Sequence, residues 1–300
     1  MKYTNKFGLP QEIVAAITKD RYTNEEDKPS DYSVTSLINP IQQTILKKRH
    51  KDDLKIQDVT ELTWSFFGSI AHAQIEEAWH ASMGSKIEER LYTTYKDITV
   101  SGKFDCYHDG EIKDWKFTKV YKITKSDFSD WEIQLNCYAY LCVLAGYPVN
   151  KLTIYAFLRD WAKGNAYKKG YPECEWQVID IPLWDSAKQK KYIEDRIDEL
   201  IWANSLDDSK LLEVFPCSSR DMWQDTIGYA VIKQDAKRAT KCFDNEEDAK
   251  VYLEQKNDKS LSIVHRQSTR KRCFDHCPVS HHCQQHKALL LAEGTTETIF

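Results

Sequence analysis

The chain has 300 residues, 41% hydrophobic and 12% aromatic, with few glycines and prolines, a formal net charge of −4 and nine cysteines. That length buries a substantial core, as one large domain or two modest ones, and the composition excludes intrinsic disorder. No apolar run approaches a membrane span, and the N-terminus MKYTNKFGLPQEI lacks the apolar region of a signal peptide. The near-neutral charge does not advertise a nucleic-acid surface, although a local basic groove fits within it. A cytoplasmic location is expected, with reduced thiols acting as buried residues or metal ligands rather than as a disulfide framework.

Residues 1–30 are polar and mixed, with a weak helical patch at Gln11–Thr18, and read as an N-terminal arm. Folding begins near Ser33. Ser33 or Thr35 caps a short helix, and Pro40 interrupts it before Ile41–His50. The basic cluster Lys47, Lys48, Arg49, His50 and Lys51 is a solvated helix end favoured by the dipole, or a phosphate contact. Asp58-Val-Thr-Glu61 fits a capping box, which opens a helix expected to reach about His80. On it Gly68, His72 and Glu76 stack on one face, and His72 is either a satisfied core histidine or a metal ligand.

Three strands follow, at Lys86–Asp97, Ile98–Tyr107 and Glu111–Thr118, the last two joined by the hairpin signal Asp109-Gly110. Asp105 lies on the first strand of that hairpin. Asp114 and Lys116, two apart on the second, point to one face. Two carboxylates can hold a divalent cation, and the lysine can polarise a water or stabilise an oxyanion. The alternative is a surface hairpin with ordinary charges. Glu111-Ile-Lys113 repeats the acid-x-Lys pattern three residues earlier, but the alternation Ile112, Asp114, Lys116 favours the later pair.

Lys119–Phe128 reads as a polar loop, and Ser129-Asp-Trp-Glu132 as a second capping box. The helix it opens, Asp130–Ala145, stops at Gly146 with Pro148 beyond, and carries Gln134 and Tyr138 on one face. A strand at Lys151–Trp161, a second at Glu175–Ile181 and a charged helix at Leu183–Leu206 complete an α/β core. A domain boundary is placed near residue 207. Beyond it, Tyr229–Lys233, Arg238–Phe243, a helix Asn245–Gln255 and a strand Ser260–Arg266 suggest a small α+β insert before RCFDHCPVSHHCQQHK.

The segments GSIAHAQIEE, SGKFDCYHDGEIKDWK and QLNCYAY, in this order and on these elements, resemble the PD-(D/E)XK nuclease superfamily in its RecB-like branch, over roughly residues 30–200. The resemblance implies a restriction-endonuclease-like α/β core, a central mixed sheet flanked by helices, over residues 31–206. Residues 207–300 would form a small C-terminal α+β module with a cysteine cluster, packed on that core. It also implies a metal-dependent deoxyribonuclease, an exonuclease on DNA ends or single strands. The role would be DNA repair, recombination or phage DNA processing, with recombination or replication proteins as partners. An endonuclease of the same fold and a catalytically inactive DNA-binding module are the alternatives. A thiol-redox protein leaves the hairpin unexplained.

By the same resemblance, His72, Asp105, Asp114 and the Trp115 backbone carbonyl hold Mg²⁺ or Mn²⁺, and Glu76 supports His72 or a metal-bound water. Lys116 orients the attacking water, while Gln134 and Tyr138 contact Lys116 and the DNA backbone. Cys273, Cys277 and Cys283 resemble the C-terminal cysteines by which many RecB-like nucleases hold a [4Fe–4S] cluster. The relatives take a fourth cysteine from before the core, but here none precedes Cys106, so Cys217 is taken as fourth ligand, with Cys242 second. Zn²⁺ is the alternative, with His276, His281 or His282 replacing a thiolate, and three unrelated cysteines are the bland reading. Cys137 and Cys142 read as helix packing. Trp115, Trp131 and Trp161 are core residues or stacking platforms for bases.

Overall fold

The computed structural model describes residues 3–19, 27–79, 85–224, 228–234, 236, 238–266 and 269–292. Two units partition the chain, residues 1–44 with 56–205, and residues 45–55 with 206–300. The first unit opens with β1 (Tyr3–Thr4), α1 (Gln11–Thr18), β2 (Tyr32–Ser33), α2 (Val34–Ile38) and the start of α3 (Ile41–Arg49). It continues with β3 (Gln57–Asp58), α4 (Thr63–Trp79), β4 (Lys86–Ile87), β5 (Arg90–Tyr95), β6 (Ile98–Lys103), β7 (Cys106–His108) and β8 (Glu111–Thr118). Then come α5 (Val120–Lys125), α6 (Ser129–Leu144), β9 (Lys151–Leu158), β10 (Trp176–Ile181) and α7 (Ser186–Ser205).

The architecture is α/β, with mixed sheets flanked by helices. A five-stranded sheet runs β10-β9-β8-β7-β4, and a three-stranded one runs β2-β6-β5. β8 and β9 are parallel, with Glu111 opposite Lys151 and Thr118 opposite Leu158, while the other pairs of the larger sheet are antiparallel. The core lies where α6 packs on both sheets. Leu135 and Leu141 of α6, Ile112 of β8 and Leu152 and Ile154 of β9 are buried there. Gly102 of β6 marks the closest approach: a Cβ there would lie 2.7 Å from Leu141 Cδ1 and 3.0 Å from Tyr138 Cδ1.

Lys86–Asp97 and Ile98–Tyr107 are not single strands. Each breaks, because its two ends pair in different sheets. Glu88 takes φ 50 between β4 and β5, and Phe104-Asp105 separates β6 from β7. Phe104 is buried at its bend, and the Glu88 N–H donates to the Asp105 carbonyl at 3.0 Å, tying the two bends together. Asp105 therefore lies off the strand on which sequence alternation places it.

Capping follows the sequence once and departs from it once. Ahead of α4 the Asp58 box forms, with Thr60 N–H on Asp58 Oδ1 at 3.1 Å and Asp58 N–H on Glu61 Oε1 at 3.3 Å. His80 lies outside the described residues, as do residues 20–26 of the expected arm. At α6, Ser129 is already helical. Asp127 Oδ1 accepts from both its N–H and its hydroxyl, at 3.3 and 2.7 Å, and so replaces the expected serine cap. The expected polar loop at Lys119–Phe128 contains α5, whose first N–H, that of Val120, donates to Asp160 Oδ1 at 2.7 Å.

The second unit contains the end of α3, then α8 (Asp208–Val214), β11 (Gly228–Lys233), β12 (Ala239–Phe243), α9 (Glu246–Lys256), β13 (Leu261–Arg266) and α10 (Gln284–Ala292). Its antiparallel sheet runs β12-β11-β13 and carries α9, with Ala230, Val231 and Ala249 buried. Sequence reading missed α8, which Asp207 caps by accepting the Lys210 N–H at 2.9 Å. Among the described residues, no helix is long and apolar enough to cross a membrane.

Candidate active site

Unequal strand lengths build the site. β7 pairs with β8 only as far as Cys106 opposite Lys113, so the next outward-facing peptide of β8, at Trp115, has no strand on that side. Side chains take the strand's place. Trp115 N–H donates to Asp105 Oδ2 at 2.7 Å, and His72 Nε2 lies 3.1 Å from the Trp115 carbonyl. The break after β6 swings Asp105 into this position, and α4 brings His72.

The opposite face of His72 meets carboxylates. Its Nδ1 is 3.6 Å from both Glu88 Oε1 and Asp105 Oδ1, and one ligating atom from each of His72, Glu88 and Asp105 lies within 4.8 Å of the others. Burial opposes charge on the ring, but Glu88 and Asp105 outweigh it and raise the pKa. Glu88 is half-buried too, which raises its carboxyl, yet His72 and Lys103 hold it below the ordinary range.

Sequence reading missed Glu88. Its signal was the consecutive pair Glu88-Glu89, which interrupts the strand alternation. Glu76, expected to support His72, makes no ion pair with the ring, because the bend after β4 delivers Glu88 there instead.

Asp114 and Lys116 point from β8 toward α6. Asp114 is 2% exposed, and Lys116 Nζ sits 2.6 Å from its Oδ2. The pair sets an ammonium directly against a buried carboxylate. Lys116 also donates to Gln134 Oε1 at 2.9 Å, and Gln134 Nε2 donates to the Tyr138 hydroxyl at 2.9 Å. Burial opposes the ammonium, yet Asp114 and Asp105 raise its pKa, so Lys116 is charged at neutral pH and is no proton acceptor. Tyr138 is 4% exposed, which leaves it holding Gln134 rather than reaching a DNA backbone. Glu111 points elsewhere, to Thr153, Lys151 and Lys113.

These groups suit a hard divalent cation. Burial, and then the charge of Asp114, push the Asp105 carboxyl up to about 7, a cost that a cation between the two carboxylates would relieve. The buried Asp114 carboxylate, the Asp105 and Glu88 oxygens, the Trp115 carbonyl and the His72 ring offer oxygen and one imidazole, a set that Mg²⁺ or Mn²⁺ accepts.

A second group of expected ligands lies in the other unit. Burial raises the Cys217 thiol, and Cys283, Asp221, Cys277 and Cys273 raise it further. The Cys273 thiol is pushed up to about 11 by burial and by Cys277 and Cys283. Backbone N–H groups point at two of the sulfurs, from Val279 to Cys277 and from His286 and Gln285 to Cys283, as thiolate ligands require. Gln285 clasps the Cys217 backbone, accepting its N–H and donating to its carbonyl, each at 2.8 Å. Cys242 is exposed on β12, whereas Cys137 and Cys142 are buried in α6.

Trp131 is buried and stacks on Phe128, while Trp115 and Trp161 are half-buried. Trp64, Phe67 and Trp79 of α4, the helix that carries His72, are exposed, with the Arg159 guanidinium 4.6 Å from the Trp64 ring.

No protein-family model matches the sequence, and no curated protein does. Among solved structures the chain is similar to SSO0001, with 13% identity over 68% of this chain and 92% of that one, at a TM-score of 0.45. It is also similar to a candidate exonuclease from Eubacterium rectale, with 14% identity over 59% of this chain and 68% of that one, at a TM-score of 0.31. Neither score carries an argument about function, which rests on the geometry of the site itself.

Proposed function

We propose that the chain is a Mg²⁺- or Mn²⁺-dependent DNA nuclease of the PD-(D/E)XK type, RecB-like, and an exonuclease on DNA ends or single strands. One observation carries the reading. Asp105, Asp114, Lys116, His72 and Glu88 converge on the unpaired edge of β8, with the buried Asp114 carboxylate held against the Lys116 ammonium.

His72, Asp105, Asp114 and the Trp115 carbonyl would hold the cation, with Glu88 as a further ligand or as the group that fixes the ring. A divalent cation supplies Lewis acidity there, lowering the pKa of a water and offsetting charge on phosphate oxygens. Lys116, kept protonated by Asp114 and fixed by Gln134, stabilises negative charge as it builds on the phosphate. Tyr138 keeps Gln134 in place from the buried side. Trp64 and Phe67 are exposed, with the half-buried Arg159 beside Trp64, where a DNA strand could stack and pair.

In the other unit, Cys217, Cys273, Cys277 and Cys283 would hold a [4Fe–4S] cluster, or Zn²⁺ in its place. Its loss should weaken folding of that unit more than chemistry. Roles in recombination or phage DNA processing belong to this reading by resemblance.

The test is incubation of the purified protein with linear and circular DNA, double- and single-stranded, in Mn²⁺, Mg²⁺ or EDTA. Degradation of linear or single-stranded DNA with metal, abolished by EDTA, is expected. Absence of metal-dependent degradation of every substrate overturns the reading.

A further inference from the structure

We propose that Asp53, His281 and His282 form a further transition-metal site, suited to Zn²⁺, that clips residues 45–55 to the loop between Cys277 and Cys283 within the second unit.

Two turns create it. After α3, Asp53 N–H donates to the His50 carbonyl at 3.0 Å, which turns the Asp53 carbonyl and carboxylate outward. In the other segment, His282 N–H and Cys283 N–H both donate to the Val279 carbonyl, at 3.0 and 3.1 Å. Lys55 locks the segments together, its N–H on the Pro278 carbonyl at 2.8 Å and its Nζ on the Phe274 carbonyl at 2.7 Å. The result brings two consecutive imidazoles onto one point: His281 Nε2 and His282 Nε2 each lie 3.0 Å from the Asp53 carbonyl oxygen. His282 Nε2 is also 3.1 Å from Asp53 Oδ2, and one ligating atom from each of the three residues lies within 4.8 Å of the others.

The rings are held for this. His50 stacks on His282 with centroids 3.7 Å apart and planes 7° from parallel, and His281 lies against His282 at 4.0 Å.

Two imidazole nitrogens with a carboxylate match a three-ligand zinc site with an open position, while Mg²⁺ prefers oxygen. The His282 Nε2–Asp53 Oδ2 separation of 3.1 Å falls a few tenths of an ångström short of about 3.4 Å, the edge of a tetrahedron with ordinary zinc bond lengths, and the three ligating atoms all lie within 4.8 Å of one another, so a small adjustment admits the ion. The clip joins residues 228 positions apart, a closure whose entropy cost a metal bond offsets.

The test is zinc titration of the full chain by calorimetry in excess Mg²⁺, which occupies the oxygen-rich site. The variant His281→Ala/His282→Ala should bind one equivalent of Zn²⁺ fewer than the unaltered chain, with its cysteine-bound metal retained. Equal zinc stoichiometry and affinity overturn the proposal. Should the double variant lose its circular-dichroism signature, Asp53→Asn decides, since that side chain is 78% exposed and free of packing. Zinc binding weakened at least tenfold supports the site, and unchanged affinity overturns it.

Discussion

Glu88 and Asp105 sit in two chain bends joined by one hydrogen bond, from the Glu88 N–H to the Asp105 carbonyl at 3.0 Å, and their carboxylates reach the same nitrogen of His72, each at 3.6 Å. The bends exist because the β-ribbon changes sheet at both places. A folding feature thus supplies an acidic site: without the breaks, Glu88 and Asp105 would follow strand alternation and could not converge on one ring.

Glu88→Gln removes the negative charge that fixes His72 while keeping the shape of the side chain. Mn²⁺ affinity measured by calorimetry should fall about 10- to 100-fold, the usual cost of losing a ligand's supporting partner. Glu76→Gln should leave it unchanged. Equal losses would mean that α4, and not the bend, supports the histidine.

Tyr138→Phe deletes the acceptor of the Gln134 amide in a buried place. The orphaned amide should cost about 1 kcal/mol in chemical denaturation. With Lys116 less firmly held, kcat should fall about tenfold, at the low end for such outer partners. KM should not move, because the buried ring is shut off from substrate. A rise in KM alone would place Tyr138 in substrate contact.

Much of this site was legible locally. β8 runs over the expected residues, and Asp114, Lys116, Gln134 and Tyr138 meet as their two- and four-residue spacings on a strand and a helix require. What escaped depends on distant parts of the chain. Val120 starts a helix because Asp160, 40 residues on, accepts its N–H. Asp127 takes the Ser129 N–H and hydroxyl in an Asx turn, so Ser129 starts the helix instead of capping it. Glu88 enters the site only because the ribbon divides between two sheets. The Asp53–His281–His282 group spans 229 positions, so nothing local to either segment announces it.

Asp58 gives the first unit a defined acid limb. The Lys6 N–H, then the Thr60 hydroxyl, hold its carboxyl well below the ordinary range, against burial. A carboxylate depressed on folding adds stability above its unfolded pKa of about 3.9, and that stability is lost as the pH falls toward the folded value. Asp58→Asn should therefore lower Tm at neutral pH, and the gap between the two proteins should narrow as the pH drops below about 4. Parallel Tm curves down to strong acid would show that the carboxylate charge is not what stabilises this corner.

At the cysteines, Cys217→Ser should remove the bound iron or zinc, measured by metal analysis and visible absorption, and lower the Tm of the second unit. Cys242→Ser, at an exposed strand position, should change neither. A brown sample with broad absorption identifies the cluster as iron–sulfur, and a colourless zinc-containing one identifies it as zinc. Full metal retention in Cys217→Ser would remove it from the ligand set.

The most direct measurement compares Mn²⁺-dependent degradation of linear DNA by the unaltered chain, by Asp114→Asn and by Glu111→Gln. Asp114 is buried beside Asp105 and the Lys116 ammonium, whereas Glu111 is engaged by Thr153 and Lys151. The account predicts a loss of at least about 100-fold in Asp114→Asn, as expected when a group stabilising transition-state charge is removed. It predicts activity within about twofold of the unaltered chain in Glu111→Gln, since a change touching neither the reacting groups nor their supports leaves transition-state binding intact. Equal losses in both variants, or full activity in Asp114→Asn, would contradict it.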